Sequence, residues 1–402
     1  MAKKTINDLR NIRDSKILVR VDFNVPQDAA GNITNDRRIR AAIPTLTRLL
    51  EADARLIVMS HLGRPKGDPR ADARFNMYRV ASRLQELLRQ EGDYGVHYIH
   101  QVVGPEAEKA ARNLSRGGVL LLENLRFHPG EQAGDPAFAA QLARLGDVYV
   151  NDAFGTCHRS DASMVAVPAA MKTQGKPRVV GLLVAKELQI LDQLLANPAR
   201  PFLAILGGAK VSDKIGFIKS LLGRVDRTLI GGAMTYTFMQ AQGRGIGNSK
   251  AEADKVDLAK ELLRLGQGKI VLPVDHLVVD RIEPPRTARV VEGDIPAGAI
   301  GVDIGPKTIA QYTQEIATAG TAIWNGPLGK FEDEPFNKGT HAVAEAMAQS
   351  KTVTIVGGGE TAEAVEDLGL DAKMKHVSTG GGAVLEYIEG TPFAALAQIE
   401  DV

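Results

Sequence analysis

The sequence has 402 residues, of which 44% are apolar and 24% charged, a composition typical of globular proteins. A chain of this length predicts two domains of roughly 150–200 residues each. Lysine and arginine number 49 against 48 acidic residues, which gives a net charge of +1. So small a charge excludes a broad positive potential that would attract nucleic acid or anionic membranes, and any anion site must be local.

The cysteine count and the first residues bear on the compartment. Cys157 is the one cysteine, so an internal disulfide is excluded and a reducing compartment is favoured. Met1–Thr5 leads into polar sequence without the apolar core of a signal peptide, and no stretch approaches the ~18 apolar residues of a membrane span. We therefore expect a cytoplasmic protein that binds neither membrane nor nucleic acid.

Short apolar runs alternate with helical patterns along the chain. Because the runs are continuous rather than alternating, they indicate strands buried on both faces of parallel sheets. The repeated units predict an α/β fold with two doubly wound, Rossmann-like parallel-sheet domains joined by a helix and a hinge. The predicted strands are Ile17–Val21, Arg55–Met59, Val119–Leu122, Val148–Val150, Phe202–Leu206, Thr228–Ile230, Ile270–Leu272, Thr321–Trp324 and Thr352–Val356, and two predicted helices are Met77–Gln90 and Ala253–Leu265.

A polar break at Lys172–Pro177 separates the two halves of the chain. The long amphipathic segment Ala185–Leu195 follows, and Asn197-Pro198 ends it, as expected for a helix stopped by proline. We interpret this segment as a helix between domains. The predicted boundaries are 1–175 for the first domain, 176–196 for the connecting helix and 197–385 for the second domain.

Asp22 and Asn24 follow the first predicted strand, at the end where open α/β sheets bind ligands. Residues two apart share a face of a strand, so the two side chains can jointly hold a hydroxyl-bearing substrate. Turn chemistry before Pro26 is the alternative explanation for both.

Arginine stands just past a strand or at a helix start in four first-half segments. A single such arginine is usually a solvated surface group, but its planar fork of donors matches phosphate and carboxylate oxygens. Four at equivalent positions in a nearly neutral chain predict a site for a small, multiply anionic ligand. The segments are Asp36–Ile39, His61–Pro65, Glu123–Phe127 and Asn151–Arg159.

Other first-half candidates are better explained structurally. His97 and His100 have metal-like spacing, but no further ligand completes a set. Cys157 lies near the arginine segments without a neighbouring base to activate it.

In the second half, Gly207 and Gly208 end a buried strand and precede a predicted helix. Paired glycines let backbone amides approach a phosphate at a helix start. Lys210 and Lys214 are four apart, which predicts that they share one face of that helix. Lysines there oppose the helix dipole unless an anion is bound, although an exposed lysine pair is the alternative.

Further glycine-rich turns follow the later strands. In the turn at Gly357–Thr361, Thr361 can cap the next helix, and Glu360 offers a hard oxygen ligand for Mg²⁺. Glu332 can hold ribose hydroxyls. The other turns are Gly231–Ala233, Asn325–Gly329, which contains Pro327, and Gly380–Gly382.

Two apparent motifs compete with this interpretation. Gly357, Gly359 and Ala362 fit the alanine-ending dinucleotide fingerprint, but a lone match is weak and leaves the other glycine turns unexplained. The segment Gly301–Thr308 looks like a P-loop, but its spacing is wrong and Pro306 intervenes, so no true Walker A motif is present.

Taken together, these strings closely resemble the phosphoglycerate kinase family. They occur in the family's order over essentially the whole chain, and the ordered set is very specific. The matching strings are RVDFNVP at Arg20–Pro26, SHLGRP at Ser60–Pro65, ENLRF at Glu123–Phe127, NDAFGTCHR at Asn151–Arg159, GGAKVSDKI at Gly207–Ile215, WNGP at Trp324–Pro327 and STGGG at Ser378–Gly382.

The resemblance implies reversible phosphoryl transfer between 1,3-bisphosphoglycerate and ADP by a two-lobed monomer whose tail, 386–402, packs back on the first domain. It implies that Arg38 and Lys210 flank the transferring group and that Lys214 neutralises nucleotide phosphate. On the first domain it places the 3-phosphoglycerate side at Asp22, Phe23, Asn24, Arg38, His61, Leu62, Gly63, Arg64, Arg126, His158 and Arg159. On the second it places Mg-nucleotide at Gly207, Gly208, Lys210, Lys214, Gly231, Gly301, Asn325, Pro327, Glu332, Gly357, Gly358, Gly359, Glu360 and Thr361.

Two residues depart from the family pattern. Glu360 stands where the family most often has aspartate; Mg²⁺ ligation is expected to survive, either directly or through a water molecule. Cys157 stands where alanine is more usual, a packing change.

We expect the lobes to close around Ala185–Leu195 during transfer, with no protein nucleophile. A dinucleotide-dependent dehydrogenase, which rests on the Gly357 fingerprint, is one alternative. A nucleotide-binding scaffold that has lost catalysis is the other.

Overall fold

A computed structural model describes residues 2–68, 70–284 and 287–402. The chain divides into two compact units. The first contains the residues up to Gln189 together with Pro392–Val402, and the second contains Ile190–Thr391. The division falls inside one long helix, Leu182–Ala196, which includes the segment predicted to connect the domains.

A six-stranded parallel sheet forms the centre of the first unit, in the order β3-β4-β2-β1-β5-β6. One of its two central strands, Lys16–Val21, is buried along almost its whole length, because apolar residues occupy both faces. The chain turns to one side of β1 and later to the other, so the topological switch lies between β1 and β5. The strands are β1 (Lys16–Val21), β2 (Arg55–Met59), β3 (Val96–Tyr98), β4 (Val119–Leu121), β5 (Val148–Asp152) and β6 (Arg178–Val180).

Helices cover both faces of this sheet. The first begins at Arg37 and buries Ile39, Ile43, Leu46 and Leu50, the stripe that a helix of period 3.6 presents to a core. The helices are α1 (Arg37–Leu50), α2 (Tyr78–Glu91), α3 (Pro105–Asn113), α4 (Pro129–Ala133), α5 (Pro136–Ala143), α6 (Ala166–Thr173) and α7 (Leu182–Ala196).

The second unit repeats the plan with a six-stranded parallel sheet in the order β15-β14-β13-β7-β8-β9 and adds a three-stranded antiparallel sheet, β11-β10-β12. The strands are β7 (Phe202–Leu206), β8 (Arg227–Ile230), β9 (Ile270–Val271), β10 (Asp275–Val279), β11 (Ala288–Glu292), β12 (Ile300–Ile304), β13 (Thr321–Asn325), β14 (Val353–Gly357) and β15 (His376–Val377). The helices are α8 (Ile215–Leu222), α9 (Met234–Ala241), α10 (Val256–Gly266), α11 (Pro306–Thr318), α12 (Lys338–Gln349), α13 (Gly359–Asp367) and α14 (Gly382–Glu389).

These sheets confirm the predicted α/β class, and each predicted strand is present within one or two residues of its expected bounds. Three strands of two or three residues each were not predicted, namely β3, β6 and β15. The antiparallel sheet β11-β10-β12 was also not predicted, and one of its outer strands, Ala288–Glu292, is mostly exposed.

The C-terminal tail belongs to the first unit. It contains α15 (Ala394–Ala397), and Arg178 Nε donates to Gln398 O at 3.0 Å. Lys3 Nζ lies 2.8 Å from Asp401 Oδ1. The tail was predicted to start at residue 386, whereas the first unit resumes at Pro392, since Ile388 is buried in the second unit and its carbonyl accepts from Ser220 Oγ at 2.7 Å.

Within the described ranges, no helix is both long enough and apolar enough to cross a lipid bilayer.

Candidate functional site

Asp22 and Arg38 form the best-defined ion pair at the carboxyl edge of the first sheet. Arg38, in the first turn of α1, donates through Nη1 to Asp22 Oδ2 at 2.9 Å and to Asn24 O at 3.2 Å. Burial opposes ionisation of Asp22, but the charges of Arg38 and Arg20 outweigh it and hold its pKa below the ordinary value. The carboxylate is therefore ionised and fixes one edge of Arg38.

The loop after β2 is tied to the ends of β1 and β4. Gly63 has a φ of +63°, a conformation that favours glycine. Its amide donates to Asn24 Oδ1 at 2.8 Å, and its carbonyl accepts from Arg126 Nη1 at 2.7 Å. The structure therefore brings together Asn24, Gly63 and Arg126, three of the residues predicted from the sequence.

Asn124 holds this arrangement and was not predicted as a site residue. Its Oδ1 accepts from Leu62 N and Arg126 N, both at 3.1 Å, and its Nδ2 donates to Leu62 O at 2.7 Å and Phe75 O at 2.9 Å. The side chain is fully buried, and these bonds use the whole capacity of its amide. Its place inside the ENLRF string was the available signal.

His61 is neutral in this setting. It is buried, and burial first of all lowers its pKa well below the ordinary value, while Asp22, whose Oδ1 lies 3.9 Å from Nδ1, opposes the shift. Arg20 Nη2 lies 3.2 Å from His61 Nδ1. Because arginine can only donate, Nδ1 accepts and the ring proton sits on Nε2, where it can be donated to a ligand.

Arg20 is a second residue that was not predicted as part of the site, although a charged residue inside an apolar strand is unusual. It is fully buried and donates through Nε to Ser163 Oγ at 2.9 Å and through Nη1 to Val21 O. Ser163 Oγ in turn donates to the buried Glu131 at 2.5 Å. Arg20 thus supports the site from beneath.

The remaining first-unit predictions differ in their exposure. Phe23 and Leu62 place their side chains in the apolar core, and their amides donate to Ser60 Oγ and Asn124 Oδ1. Arg64 is exposed. Arg159 donates through Nε to Asp161 Oδ2 at 3.1 Å, and the ring of His158 lies 6.5 Å from that of Phe393 in the tail.

In the second unit, the glycine pair after β7 has another role than the sequence suggested. Gly207 N donates to Asn325 O at 3.0 Å, and Gly208 N donates to Pro327 O at 2.8 Å. Gly231 N likewise donates to Leu206 O at 2.8 Å. The expectation that the Gly207 and Gly208 amides point at a phosphate is therefore wrong, because they join the loops that follow β7 and β13.

The prediction that Lys210 and Lys214 share a helix face is also wrong. Lys210 is exposed in the loop, Ser212–Lys214 form a 3₁₀ turn, and α8 begins only at Ile215, so helical spacing does not apply between the two lysines. Lys214 Nζ donates to Asn325 O at 3.1 Å and to Asn325 Oδ1. Burial lowers the pKa of Lys214 to about 8, although the charges of Glu360 and Asp213 oppose the shift.

The turn between β14 and α13 offers the backbone amides that the first glycine pair does not. Gly358, with a φ of +94°, is the N-cap residue of α13, and the first amides of a helix lack intrahelical partners. Thr361 was expected to cap this helix. Instead it lies inside the helix, buried, and its Oγ accepts from Gly326 N at 2.6 Å.

Glu360 is the candidate Mg²⁺ ligand. It is exposed in the first turn of α13. Among the described residues no group of three or more His, Cys, Asp or Glu could hold a metal ion. One carboxylate fits Mg²⁺ that arrives on nucleotide phosphates, since Mg²⁺ usually keeps several waters and takes only one or two protein carboxylates.

Gly301 and Glu332 complete the predicted set. Gly301 lies in β12, and its amide donates to Ser249 Oγ at 2.9 Å. Glu332 is exposed after β13. Burial foremost, and then the charges of neighbouring acids that include Glu360 and Glu332, raise the pKa of Glu363 in α13.

The P-loop-like segment is engaged elsewhere. Lys307 Nζ binds Glu292 Oε1 at 2.5 Å, and Thr308 Oγ1 donates to Asp275 Oδ1 at 2.6 Å. Neither side chain is left for a phosphate, which agrees with the rejection of a Walker motif.

Comparison with known proteins gives a consistent result. Residues 6–391 match the family model described as phosphoglycerate kinase. Two similar relatives are the phosphoglycerate kinases of Rhodopirellula baltica, 51% identical, and Anaeromyxobacter dehalogenans strain 2CP-C, 50% identical, each covering 100% of both chains. The solved phosphoglycerate kinase of Coxiella burnetii is 36% identical with a TM-score of 0.84 over 98% of both chains. That of Pyrococcus horikoshii OT3 is 30% identical with a TM-score of 0.85 over 99% of this chain and 98% of the other.

Proposed function

The chain belongs to the phosphoglycerate kinase family, and from that premise we propose how its residues carry out the family's reversible phosphoryl transfer between 1,3-bisphosphoglycerate and ADP. The enzyme is a phosphotransferase whose acceptor is a carboxyl group. This membership excludes the dehydrogenase suggested by the Gly357 fingerprint. What we propose is therefore the role of each individual residue.

The first unit binds the phosphoglycerate. The observation that carries this assignment is the cluster of Arg38, Arg126 and Arg159, which Asn24, Gly63 and Asp161 link through hydrogen bonds and ion pairs. Arg126 Nε is buried and has no hydrogen-bond partner among the described residues, so the protein does not exhaust the donors of this guanidinium. Arginine forks suit phosphate, while neutral His61 and Asp22 suit a hydroxyl or carboxylate. Phe23, Leu62, Gly63, Arg64 and His158 complete the proposed contact set.

The second unit binds the nucleotide. The amides of the turn Gly357–Gly359, which leads from β14 into α13, suit its phosphates, and Lys214 adds positive charge. Glu360 holds Mg²⁺ delivered with the nucleotide, and the ion neutralises phosphate charge. Glu332 accepts hydrogen bonds from ribose hydroxyls. Gly207, Gly208, Gly231, Gly301, Asn325, Pro327 and Thr361 shape the backbone around the nucleotide.

Transfer requires positioning and charge neutralisation rather than a protein nucleophile. Arg38 from one side and Lys210 from the other stabilise the charge on the phosphoryl group in flight. We propose that the two units hinge around Ala185–Leu195 once both substrates are bound, which excludes water that would hydrolyse the acyl phosphate. Solution scattering that showed no compaction with both substrates would contradict the hinge.

We also propose that the enzyme works as a monomer in the cytoplasm. The buried, free Cys157 fits a reducing compartment. Sedimentation at assay concentrations tests the monomer, since a stable dimer would contradict it.

The first experiment is turnover of ATP and 3-phosphoglycerate, coupled through glyceraldehyde-3-phosphate dehydrogenase to loss of NADH. We expect a signal that needs both substrates and Mg²⁺ and is strongly reduced in Lys210→Ala. The matched control is Lys351→Ala, an exposed lysine just before β14, at the opposite end of the strand from the site. ATP binding without turnover in the folded wild-type chain would contradict the proposed catalytic set.

A further inference from the structure

Asp161 is a buried carboxylate among the arginines of the first unit. Its residue is only 4% exposed. Oδ2 lies 3.1 Å from Arg159 Nε and 4.0 Å from Arg126 Nη2. An acidic side chain at the centre of a site for an anionic substrate needs an explanation, because it competes for the same guanidinium groups.

The backbone around Asp161 is firmly held. Ala162 N donates to Glu131 O at 2.7 Å, and Ser163 N donates to Glu131 Oε2 at 2.9 Å. Glu131 is itself fully buried. The backbone that carries Asp161 is therefore fixed, and its carboxylate lies buried beside the arginines.

The local charges explain why a carboxylate is tolerated there. Burial foremost, then the charge of Arg159, lowers the pKa of Arg126, while Asp161 acts in the opposite direction. Without a bound anion, neighbouring guanidinium groups repel one another in a poorly solvated site. Asp161 supplies the compensating negative charge.

The geometry of the Arg159 contact also matters. The hydrogen bond uses Nε, so the outer edge of the guanidinium that carries the two Nη atoms is not occupied by Asp161. This side chain is about one third exposed. Asp161 thus orients Arg159 through its Nε atom and leaves the two Nη donors for an incoming phosphate.

We propose that Asp161 is a positioning residue and internal counter-anion that sets how tightly the arginines bind phosphate. This inference rests on the proposed function, because it takes these arginines as the phosphoglycerate site. Asp161 makes the empty site electrostatically stable, limits its affinity for free inorganic phosphate and keeps Arg159 aligned.

Two variants separate charge from orientation. Asp161→Asn removes the charge but keeps an oxygen that accepts from Arg159 Nε. Asp161→Ala removes both. The matched control is Asp93→Asn, which removes an exposed carboxylate before β3, at the amino edge of the same sheet.

The test titrates inorganic phosphate and 3-phosphoglycerate into the full chain by calorimetry. For Asp161→Asn we expect both ligands to bind about three- to tenfold more tightly, since one nearby negative charge is gone, with Asp93→Asn unchanged. Unchanged or weaker phosphate binding in a folded Asp161→Asn would overturn the counter-anion role.

Steady-state kinetics tests the positioning role. We expect the KM for 3-phosphoglycerate of Asp161→Ala to be roughly tenfold above that of Asp161→Asn, with the KM for ATP equal in both. Equal KM values for 3-phosphoglycerate would overturn positioning.

The inference and the proposed function fail in different ways. If neither 3-phosphoglycerate nor phosphate binds the wild-type chain, the assignment of the arginine site is wrong. If both bind and the two Asp161 variants match the wild type, only the role of Asp161 is wrong.

Discussion

In the first unit the candidate site is built from buried charged side chains, whereas in the second it is built mainly from backbone loops. Asp22, Arg20 and Asn124 are buried, and each is hydrogen-bonded to another residue of the site, namely Arg38, His61 and Leu62 in that order. In the second unit Lys210, Glu332 and Glu360 are exposed, while glycine amides join one loop to the next. Rigidity therefore comes from side-chain pairing in one half and from close backbone approach in the other.

This difference teaches that the two halves should fail differently. A change of charge in the first half should impair ligand binding directly. A methyl group added to one of the closely packed glycines of the second half should lower the stability of that half.

The largest expected effect is that of Arg38→Ala. Because Arg38 is proposed to stabilise charge that develops only during transfer, kcat should fall by about 10²–10³-fold, with nucleotide affinity nearly unchanged. The coupled assay and a direct ATP titration measure the two quantities. Arg48→Ala, on the exposed face of the same helix, is the control, and equal losses in kcat and ATP affinity for Arg38→Ala would argue against the transition-state role.

Gly207→Ala tests the backbone half. A Cβ at this position would come within 2.6 Å of Gly326 O, so the loops after β7 and β13 must separate. We expect a loss of about 1–3 kcal/mol in the free energy of unfolding, measured by denaturant titration. Gly223→Ala is the control, because a Cβ there meets nothing within 4 Å; similar stabilities of the two variants would refute the close-approach argument.

Asn124→Ala tests the side-chain half without touching a charge. It leaves the polar backbone atoms of Leu62, Phe75 and Arg126 without their partner, which costs about 1–3 kcal/mol of stability. We also expect the KM for 3-phosphoglycerate to rise roughly tenfold as Arg126 and Gly63 shift. The exposed Asn113→Ala serves as the control, and a change in the KM for ATP instead would place Asn124 in the wrong half.

The smallest effect concerns pH. The pKa of Lys214 is lowered to about 8 by burial, so its positive charge is present below pH 8 and is lost as the pH rises above it. Nucleotide affinity should therefore fall a few-fold between pH 7.5 and 9, with proton uptake on binding, which calorimetry in two buffers detects. Lys214→Arg stays charged and should flatten the profile; a persistent slope would assign the titration to another group.

Much of the fold could be predicted from the sequence, because buried parallel strands leave continuous apolar runs such as Phe202–Leu206. The short strand β15 and the exposed strand β11 lack that signal. Hydrophobic patterning detects burial on both faces of a strand, so it misses strands that are brief or solvated.

The candidate site followed a similar rule. Side-chain chemistry was legible, since Asp22, Asn24, Arg38 and Arg126 do meet. The hydrogen bonds of the backbone amides could not be predicted, because the partners of Gly207 and Gly208 lie more than a hundred residues away, at Asn325 and Pro327. Asn124 and Asp161 were overlooked for a related reason, as they act on other site residues rather than on a ligand.

The return of Pro392–Val402 to the first unit has a consequence for biosynthesis. On the ribosome, Lys3, Lys4 and Arg178 emerge well before Glu400 and Asp401, the acids they pair with. The nascent first unit therefore waits for the whole of the second to be translated before these ion pairs can form. Truncation of the mRNA near its 3′ end should therefore yield a chain that lacks these ion pairs and is destabilised in its first unit, the part that is translated first.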